Sequence, residues 1–336
     1  MTITFNVVFT RGTVRRLLPF TLSLLQGTGV HLRLVANGCG PEEVDLMREA
    51  AAGDERVSQH SLPGRDPVAH GAALNQLFDA FPIEPYFAFA DSDVIASGDF
   101  MPALWPMADG QTGVFAATPV WATESDTVVP AGWPVLSGRM HVLPDGSHAG
   151  STYLAIYERA AIEPSWRAAP RGFELHFRHS VPRAMRARLA ARGWSYRIFD
   201  TCRVVNLQQL MEGRTLEVRD VPQLHHVGGV SGANFAGPSA LLRGLPLLLR
   251  SKHHRRPTRI AEYVAFRYFL WRRGHDPRHR LVNDRRSLVG AFAGAVLDAI
   301  EAGEQVPPPP ATGSTDVDRQ LAALIAAIEG HYRPLP

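Results

Sequence analysis

Two carboxylates, Asp91 and Asp93, stand on either side of Ser92 and directly follow the apolar run Tyr86-Phe87-Ala88-Phe89-Ala90. That run reads as a buried strand ending near residue 90, so both acids fall at a strand end and can turn toward one hard cation. Mg²⁺ and Mn²⁺ take oxygen ligands and commonly bridge a few protein oxygens to a ligand's phosphates rather than sitting in a closed protein cage. The pair therefore points to a metal-held diphosphate. Ser92 equally suits an ordinary Asx-type turn, and the surrounding sequence has to decide between the two.

The elements that must position these acids alternate. Phe5 to Phe9 reads as a strand, and Thr13 to Gln26 has apolar positions at helical spacing. His31 to Ala36 is a second strand. The turn Asn37-Gly38-Cys39-Gly40 leads from it to a helix over Pro41 to Ala52, with proline at its start and Glu42 and Glu43 in its first turn. Arg56 to Leu62 is a short third strand, and the next helix is expected from Asp66 as N-cap and Pro67 to about Ala80. Strands alternating with helices predict a parallel, doubly wound α/β sheet, and ligands of such sheets lie outside the carboxyl ends of the strands, where Asp91 and Asp93 stand.

Composition agrees with a globular enzyme. The 336 residues suggest about two domains, and 45% hydrophobic content supports a sizeable core. With only Cys39 and Cys202 there is neither a disulfide framework nor a four-thiolate zinc site, which fits a reducing compartment. The start of the chain meets Arg11, Arg15 and Arg16 before any apolar core of a signal peptide forms, and no run of about twenty apolar residues occurs. A cytoplasmic protein is expected. A net charge of +3 with no recognised binding motif argues against a nucleic-acid partner.

Gly64-Arg65-Asp66-Pro67-Val68-Ala69-His70-Gly71-Ala72-Ala73-Leu74-Asn75, followed by an apolar strand and Asp91-Ser92-Asp93, resembles the nucleotide-sugar half of GT-A type glycosyltransferases, especially the family 2-like group. The resemblance continues through Gly172-Phe173-Glu174 to Arg192-Gly193-Trp194, which lie without a gap on the acceptor-side segment, and it covers roughly residues 3 to 235. It implies a Rossmann-like, mostly parallel sheet flanked by helices, a nucleoside diphosphate sugar donor, a hexosyltransferase-like activity and a Mn²⁺ or Mg²⁺ cofactor. It also implies that Asp91 lies near the donor and the metal, and that Asp93 ligates the metal. A late histidine is expected on the same ion. Of His225 and His226, His226 directly precedes Gly228 and Gly229, glycines that would let backbone amides approach the diphosphate, so His226 is the expected ligand. Thr10 and Arg11 at the end of the first strand would lie near base and ribose, joined by Asn37 and Asn75. Asn37, Asn75 and His70 also read as ordinary turn or helix residues, and Trp121 and Trp133 as either a sugar-stacking wall or core.

One position departs from the family. Inverting members carry an acidic pair a few residues after the Gly-Phe-acid, whereas the gapless correspondence here places Val181-Pro182 there, and neither accepts a proton. Glu174, His176 and His179 lie close enough in sequence to replace the missing base, with Glu174 and His179 the chosen candidates. The gap leaves inverting and retaining chemistry open and keeps alive two rivals, a weakly catalytic donor-binding or scaffold protein and a nucleotidyltransferase. The acceptor, whether glycan, lipid-linked, small molecule or peptide, is not identified.

The organisation reads as a glycosyltransferase domain over 1–236, a basic helical extension over 237–304, a Pro-rich linker over 305–315 and a C-terminal helix over 316–336. The extension carries Lys252, Arg255, Arg256, Arg272 and Arg273 beside aromatic residues. It suits either a helical buttress or peripheral contact with an anionic membrane face. In the last segment Leu321, Leu324, Ile325 and Ile328 share one helical face, suited to docking.

Overall fold

The structure is a computed structural model that describes residues 2–107, 110–116, 153–194, 198–228 and 277–335. The chain divides into two compact units, one of Met1–Val120, Val129–His226 and Ala323–Pro336, the other of Trp121–Val128 and Val227–Ala322.

The first unit begins with β1 (Thr4–Thr10), α1 (Val14–Ser23), β2 (His31–Asn37), α2 (Pro41–Gly53), β3 (Val57–Ser61), α3 (His70–Ala80) and β4 (Tyr86–Ala90). It continues with β5 (Val94–Ala96), α4 (Met101–Leu104), β6 (Gln111–Ala116), β7 (Leu154–Glu158), α5 (Arg159–Ala168), β8 (His176–Phe177), α6 (Arg183–Ala190), β9 (Ile198–Phe199), α7 (Arg203–Met211), β10 (Thr215–Arg219) and β11 (Leu224–His226). Seven of the strands form one sheet in the order β10-β6-β7-β4-β1-β2-β3. This is the expected α/β architecture, a mostly parallel sheet flanked by helices. The chain runs outward from β1 through β2 to β3 and then returns to place β4 on the other side of β1, with Phe5 beside Ala88 and Val7 beside Ala90. A topological switch point therefore lies at the carboxyl ends of β1 and β4, and Thr10 and Asp91 are located there.

One sequence expectation is corrected, and one strand direction was not readable from the sequence. β7 runs antiparallel to both neighbours, β4 and β6, within the mostly parallel sheet. Leu154, Ala155, Ile156 and Tyr157 are wholly buried, and a strand covered on both faces is a continuous apolar run that carries no sign of its direction. The helix expected from Asp66 begins only at His70. The Asn37 side chain makes two hydrogen bonds to Val68, donating from Nδ2 to its carbonyl and accepting its N–H on Oδ1, both at 2.8 Å. That clamp holds the backbone before α3 out of helical conformation.

The central core joins Phe78, Phe87, Phe89 and Tyr157 to Phe173, whose ring stacks on Phe87 at 5.2 Å. Phe173 carries its loop against α3. Asn75 Nδ2 donates to Arg171 O at 2.8 Å, while its Oδ1 accepts from Phe173 N at 2.9 Å and Trp166 Nε1 at 2.7 Å. Gly71, in the first turn of α3, makes room for this loop, because a Cβ there would lie 2.5 Å from Glu174 Cα.

In the second unit, α8 (Pro277–Ala302) buries Val289, Ala293, Val296 and Leu297. Thr312 donates from N and Oγ1 to Asp318 Oδ1 at 2.8 and 2.7 Å, ordering the start of α9 (Thr315–His331). Leu321 is buried in this part of α9. From Ala323 on, the helix belongs to the first unit, where Leu324, Ile325 and Ile328 are buried and Tyr332 packs on Phe20 at 5.5 Å. Among the described residues no helix is long and apolar enough to cross a membrane. Trp121, Trp133, Gly229, Lys252, Arg255, Arg256, Arg272 and Arg273 lie outside the described residues.

The clamp around Asn75 is testable at Gly172, which sits at φ +55° and whose Cβ would lie 2.3 Å from both Asn75 Oδ1 and Trp166 Nε1. Gly172→Ala should lose roughly 2–4 kcal/mol in urea denaturation, the left-handed backbone costing about 1 and the displaced hydrogen bonds the rest. A loss under about 1 kcal/mol would show that this loop yields and is not clamped.

Candidate metal centre

The strand containing Phe87 to Ala90 ends in the sheet interior, and the chain turns at once through Asp91-Ser92-Asp93 into β5. Asp91 is fixed by its N–H, which donates to Tyr153 O at 2.7 Å just before β7. β5 then pairs antiparallel with β11, and His226 lies opposite Val94, the residue that follows Asp93. This short ladder brings the late histidine to the acids. His226 Nε2 is 3.2 Å from Asp93 Oδ1 and 3.6 Å from Asp91 Oδ2, and the three ligand atoms all lie within 4.8 Å of one another. The Tyr153 ring stacks on the imidazole at 4.8 Å with an interplanar angle of 6°, setting its orientation.

Because successive strand residues face opposite sides, only one of the two histidines can join the acids. His225 faces away, its Nε2 lying 3.1 Å from Ser97 Oγ, and burial together with the nearby His331 lowers its pKa.

Two carboxylate oxygens and an imidazole nitrogen form a donor set for a divalent ion. Bonds of about 2.1 Å in octahedral geometry separate adjacent ligands by about 3 Å, close to the two distances found around His226 Nε2. The side chain of Asp93 is fully buried, that of His226 is 14% exposed and that of Asp91 25%, so the triad opens to solvent on the Asp91 side. Burial raises the Asp91 carboxyl above its ordinary range. The neighbouring His70 and His226 oppose that shift, while Asp93 and Asp200 reinforce it.

The other expected site residues have contacts of their own. Thr10 ends β1, and its carbonyl accepts from Thr13 N at 3.1 Å and Thr13 Oγ1 at 2.7 Å. Arg11 donates from Nε to Gly38 O at 3.1 Å and from Nη2 to Arg65 O at 3.2 Å. Glu43 Oε1 accepts from Gly12 N at 2.7 Å, so the loop after β1 is held at the carboxyl edge of the sheet. Asn37 and Asn75 direct their amides into the Val68 and Gly172 clamps. Glu174 is half-buried with its backbone over Gly71. His176 is wholly buried and its Nε2 accepts from Arg171 N at 3.2 Å, whereas His179 is exposed with its ring stacked 5.8 Å from Phe177. Gly228 adopts φ +72°. Val181, at the position of the absent acidic pair, is 1% exposed and belongs to the central core.

Tyr153 escaped the sequence reading, because it precedes a strand whose pairing with β4 was not visible. So did Asp200, one of the groups that raise the Asp91 carboxyl, which follows a two-residue strand too short to show periodicity. His70, which the sequence left as either a site or a helix residue, is the first residue of α3 and meets Phe89 edge-on at 6.0 Å.

No family model and no curated protein matches this sequence. Among solved structures, the chain is similar to the mannosyltransferase PcManGT of Pyrobaculum calidifontis, solved with GDP-Man and Mn²⁺, at 13% identity and a TM-score of 0.40, over 98% of this chain and 86% of that one. It is similar to the galactosyltransferase LgtC, solved with donor and acceptor sugar analogues, at 10% identity and a TM-score of 0.39, over 64% and 73% of the two chains. The match to an active-site mutant of LgtC spans 58% of that chain. The glycosyltransferase GlyE of Streptococcus pneumoniae TIGR4 is 11% identical with a TM-score of 0.38, over 74% of this chain and 52% of that one. At these identities and scores the functional reading rests on the site itself.

A raised Asp91 carboxyl makes the metal-free centre a source of instability. The folded protein holds this proton to higher pH than the unfolded chain does, so stability falls as pH rises from the ordinary carboxylate range through the raised value. Asp91→Asn should therefore melt at a higher temperature than the wild type in EDTA at pH 7, with no such gain at pH 3, where both chains are neutral at this position. Added Mn²⁺ should raise the wild-type melting temperature and leave that of the variant unchanged. A variant less stable than wild type at pH 7 in EDTA would refute this account of Asp91.

Proposed function

We propose that this chain is a GT-A type, metal-dependent glycosyltransferase that moves a sugar from a nucleoside diphosphate sugar, with uridine as the nucleoside, to an acceptor hydroxyl in the cytoplasm. The observation that carries the reading is the convergence of Asp91, Asp93 and His226 at the switch point of the sheet. Three protein ligands leave coordination positions for phosphate oxygens. An imidazole among them favours Mn²⁺ over Mg²⁺, which prefers oxygen alone. Bound there, the ion would neutralise the charge that develops on the leaving diphosphate.

The chain's own residues supply the remainder. Asp93, shielded from solvent, and His226, oriented by Tyr153, hold the ion. Asp91 at the open side faces the donor. The loop Thr10-Arg11-Gly12, braced by Glu43, Gly38 and Arg65, lines the neighbouring strand end for base and ribose. Asn37 and Asn75 act beneath the site by fixing the two loops they clamp. Gly228, already at a positive φ, supports the reading that backbone near His226 approaches the diphosphate.

The burial of Val181 favours a second reading, in which the chain binds the donor without efficient transfer. Release of nucleoside diphosphate from a panel of UDP- and GDP-sugars separates the two, since a binding protein releases none.

Calorimetry tests the metal assignment. UDP should bind in the presence of Mn²⁺ and not in EDTA, and Asp93→Asn should weaken that binding on the order of 10²-fold while the fold is retained. His226→Ala should weaken it more than His225→Ala. Unchanged affinity in Asp93→Asn would remove the centre from the function, and equal losses in the two histidine variants would reverse the choice between them.

A further inference from the structure

The chain that follows the Gly172-Phe173-Glu174 loop concentrates positive charge on one surface. Residues 175–194 carry Arg178, Arg183, Arg186, Arg188 and Arg192 and no acidic residue, while the whole chain has a net charge of only +3, so the remainder is negative on balance. The helix α6 buries Met185 and Leu189 in the central core and leaves Ala184, Ala187 and Ala190 exposed. Arg178, Arg183, Arg188 and Arg192 are exposed, and Arg186 is half-buried. Among the described residues none of these guanidinium groups makes a hydrogen bond or an ion pair, although Arg192 lies 5.8 Å over the Trp194 ring. Elsewhere Arg48, Arg56, Arg167, Arg219 and Arg319 each meet a carboxylate.

Such an arrangement is unfavourable by itself. α6 has no acid in its first turn, so Arg183 stands against the positive end of the helix dipole, and Arg183 and Arg186 are like-charged neighbours on the helix. Helical geometry sends Arg186 and Arg188 to opposite flanks of the exposed face, with Arg183 between them. Donors that diverge on a convex helix cannot close around one phosphate. They match an extended layer of negative charge. Surfaces that hold single-stranded nucleic acid interleave their cations with aromatic rings on which bases stack, whereas the exposed helix positions between these arginines are alanines. Alanine also lacks the apolar bulk of side chains that enter the acyl region, so contact stays at the level of headgroups.

We propose that the surface formed by Arg178, Arg183, Arg186, Arg188 and Arg192 docks the protein on an anionic lipid bilayer, through headgroup phosphates and without an inserted segment. The inference uses none of the metal-centre residues and goes beyond the glycosyltransferase reading. Each arginine near such a surface strengthens binding about fivefold.

The test is cosedimentation of the full chain with phosphatidylcholine vesicles, with and without about one quarter phosphatidylglycerol. The protein should pellet only with the anionic vesicles, and binding should fade as salt approaches roughly half-molar, where exposed charges are screened. Arg183→Ala combined with Arg188→Ala should weaken binding about 25-fold without lowering the melting temperature, since both side chains are exposed and the first change relieves the helix dipole. Lys252→Ala combined with Arg255→Ala, in the basic segment outside the described residues, should weaken it less. Equal binding to both vesicle types, binding to neither, unchanged binding in the Arg183 and Arg188 variant, or an equal or greater loss in the Lys252 and Arg255 variant would each overturn the assignment. Tighter binding of a single-stranded oligonucleotide than of anionic vesicles, lost in the Arg183 and Arg188 variant, would make nucleic acid the partner and overturn it too. Metal-dependent UDP binding is read on the same proteins, and its absence in the wild type removes the proposed function while leaving the docking surface to the vesicle result.

Discussion

Two carboxylates held together at the end of a buried strand are the constraint around which this structure is arranged. Asp93 is wholly shielded from solvent and Asp91 is largely so, and each raises the cost of charging the other. A chain under no other demand would separate them or replace them with apolar residues, which fit such a position without penalty. Instead, the β5–β11 ladder brings His226 to the pair, and a divalent ion held by the three side chains would compensate the two carboxylates.

The stability of the rest of the first unit makes that concentration of charge tolerable. The sheet interior is aromatic, with Phe78, Phe87, Phe89, Phe115, Tyr157 and Phe173 buried in edge, tilted and stacked contacts. The loops above it are fixed by polar side chains that bond to backbone. Asn37 holds Val68, Asn75 holds the Gly172 turn, and Glu43 holds Gly12 and Gly40. Each clamp satisfies backbone groups that a loop at the sheet edge would otherwise leave to water, so the loops bordering the centre are ordered before any ligand arrives.

This division of labour changes the meaning of several residues. Asn37 ends β2, where ligand contact is the natural expectation, and Asn75 lies within α3; both have their amides committed to backbone. Conversely, Tyr153 carries no local pattern that marks it, yet it borders the triad through the face of its ring and its carbonyl.

The sequence by itself determined the alternating elements, the strand that ends at Ala90, the placement of two acids directly after it, and the preference for His226 beside its glycines. These are local properties, set by side-chain periodicity, by proline and glycine, and by the few residues that follow a strand. The tertiary structure alone decided the direction of β7, because a strand buried on both faces reads the same either way. It also decided the late start of α3, because a clamp from Asn37 outweighed the helix-starting signal of Asp66 and Pro67. Above all it decided which acids and histidines meet. His226 joins Asp91 and Asp93 through backbone pairing of two three-residue strands. Contacts made by such short, distant segments leave no period in the sequence and exist only once the sheet has closed around them.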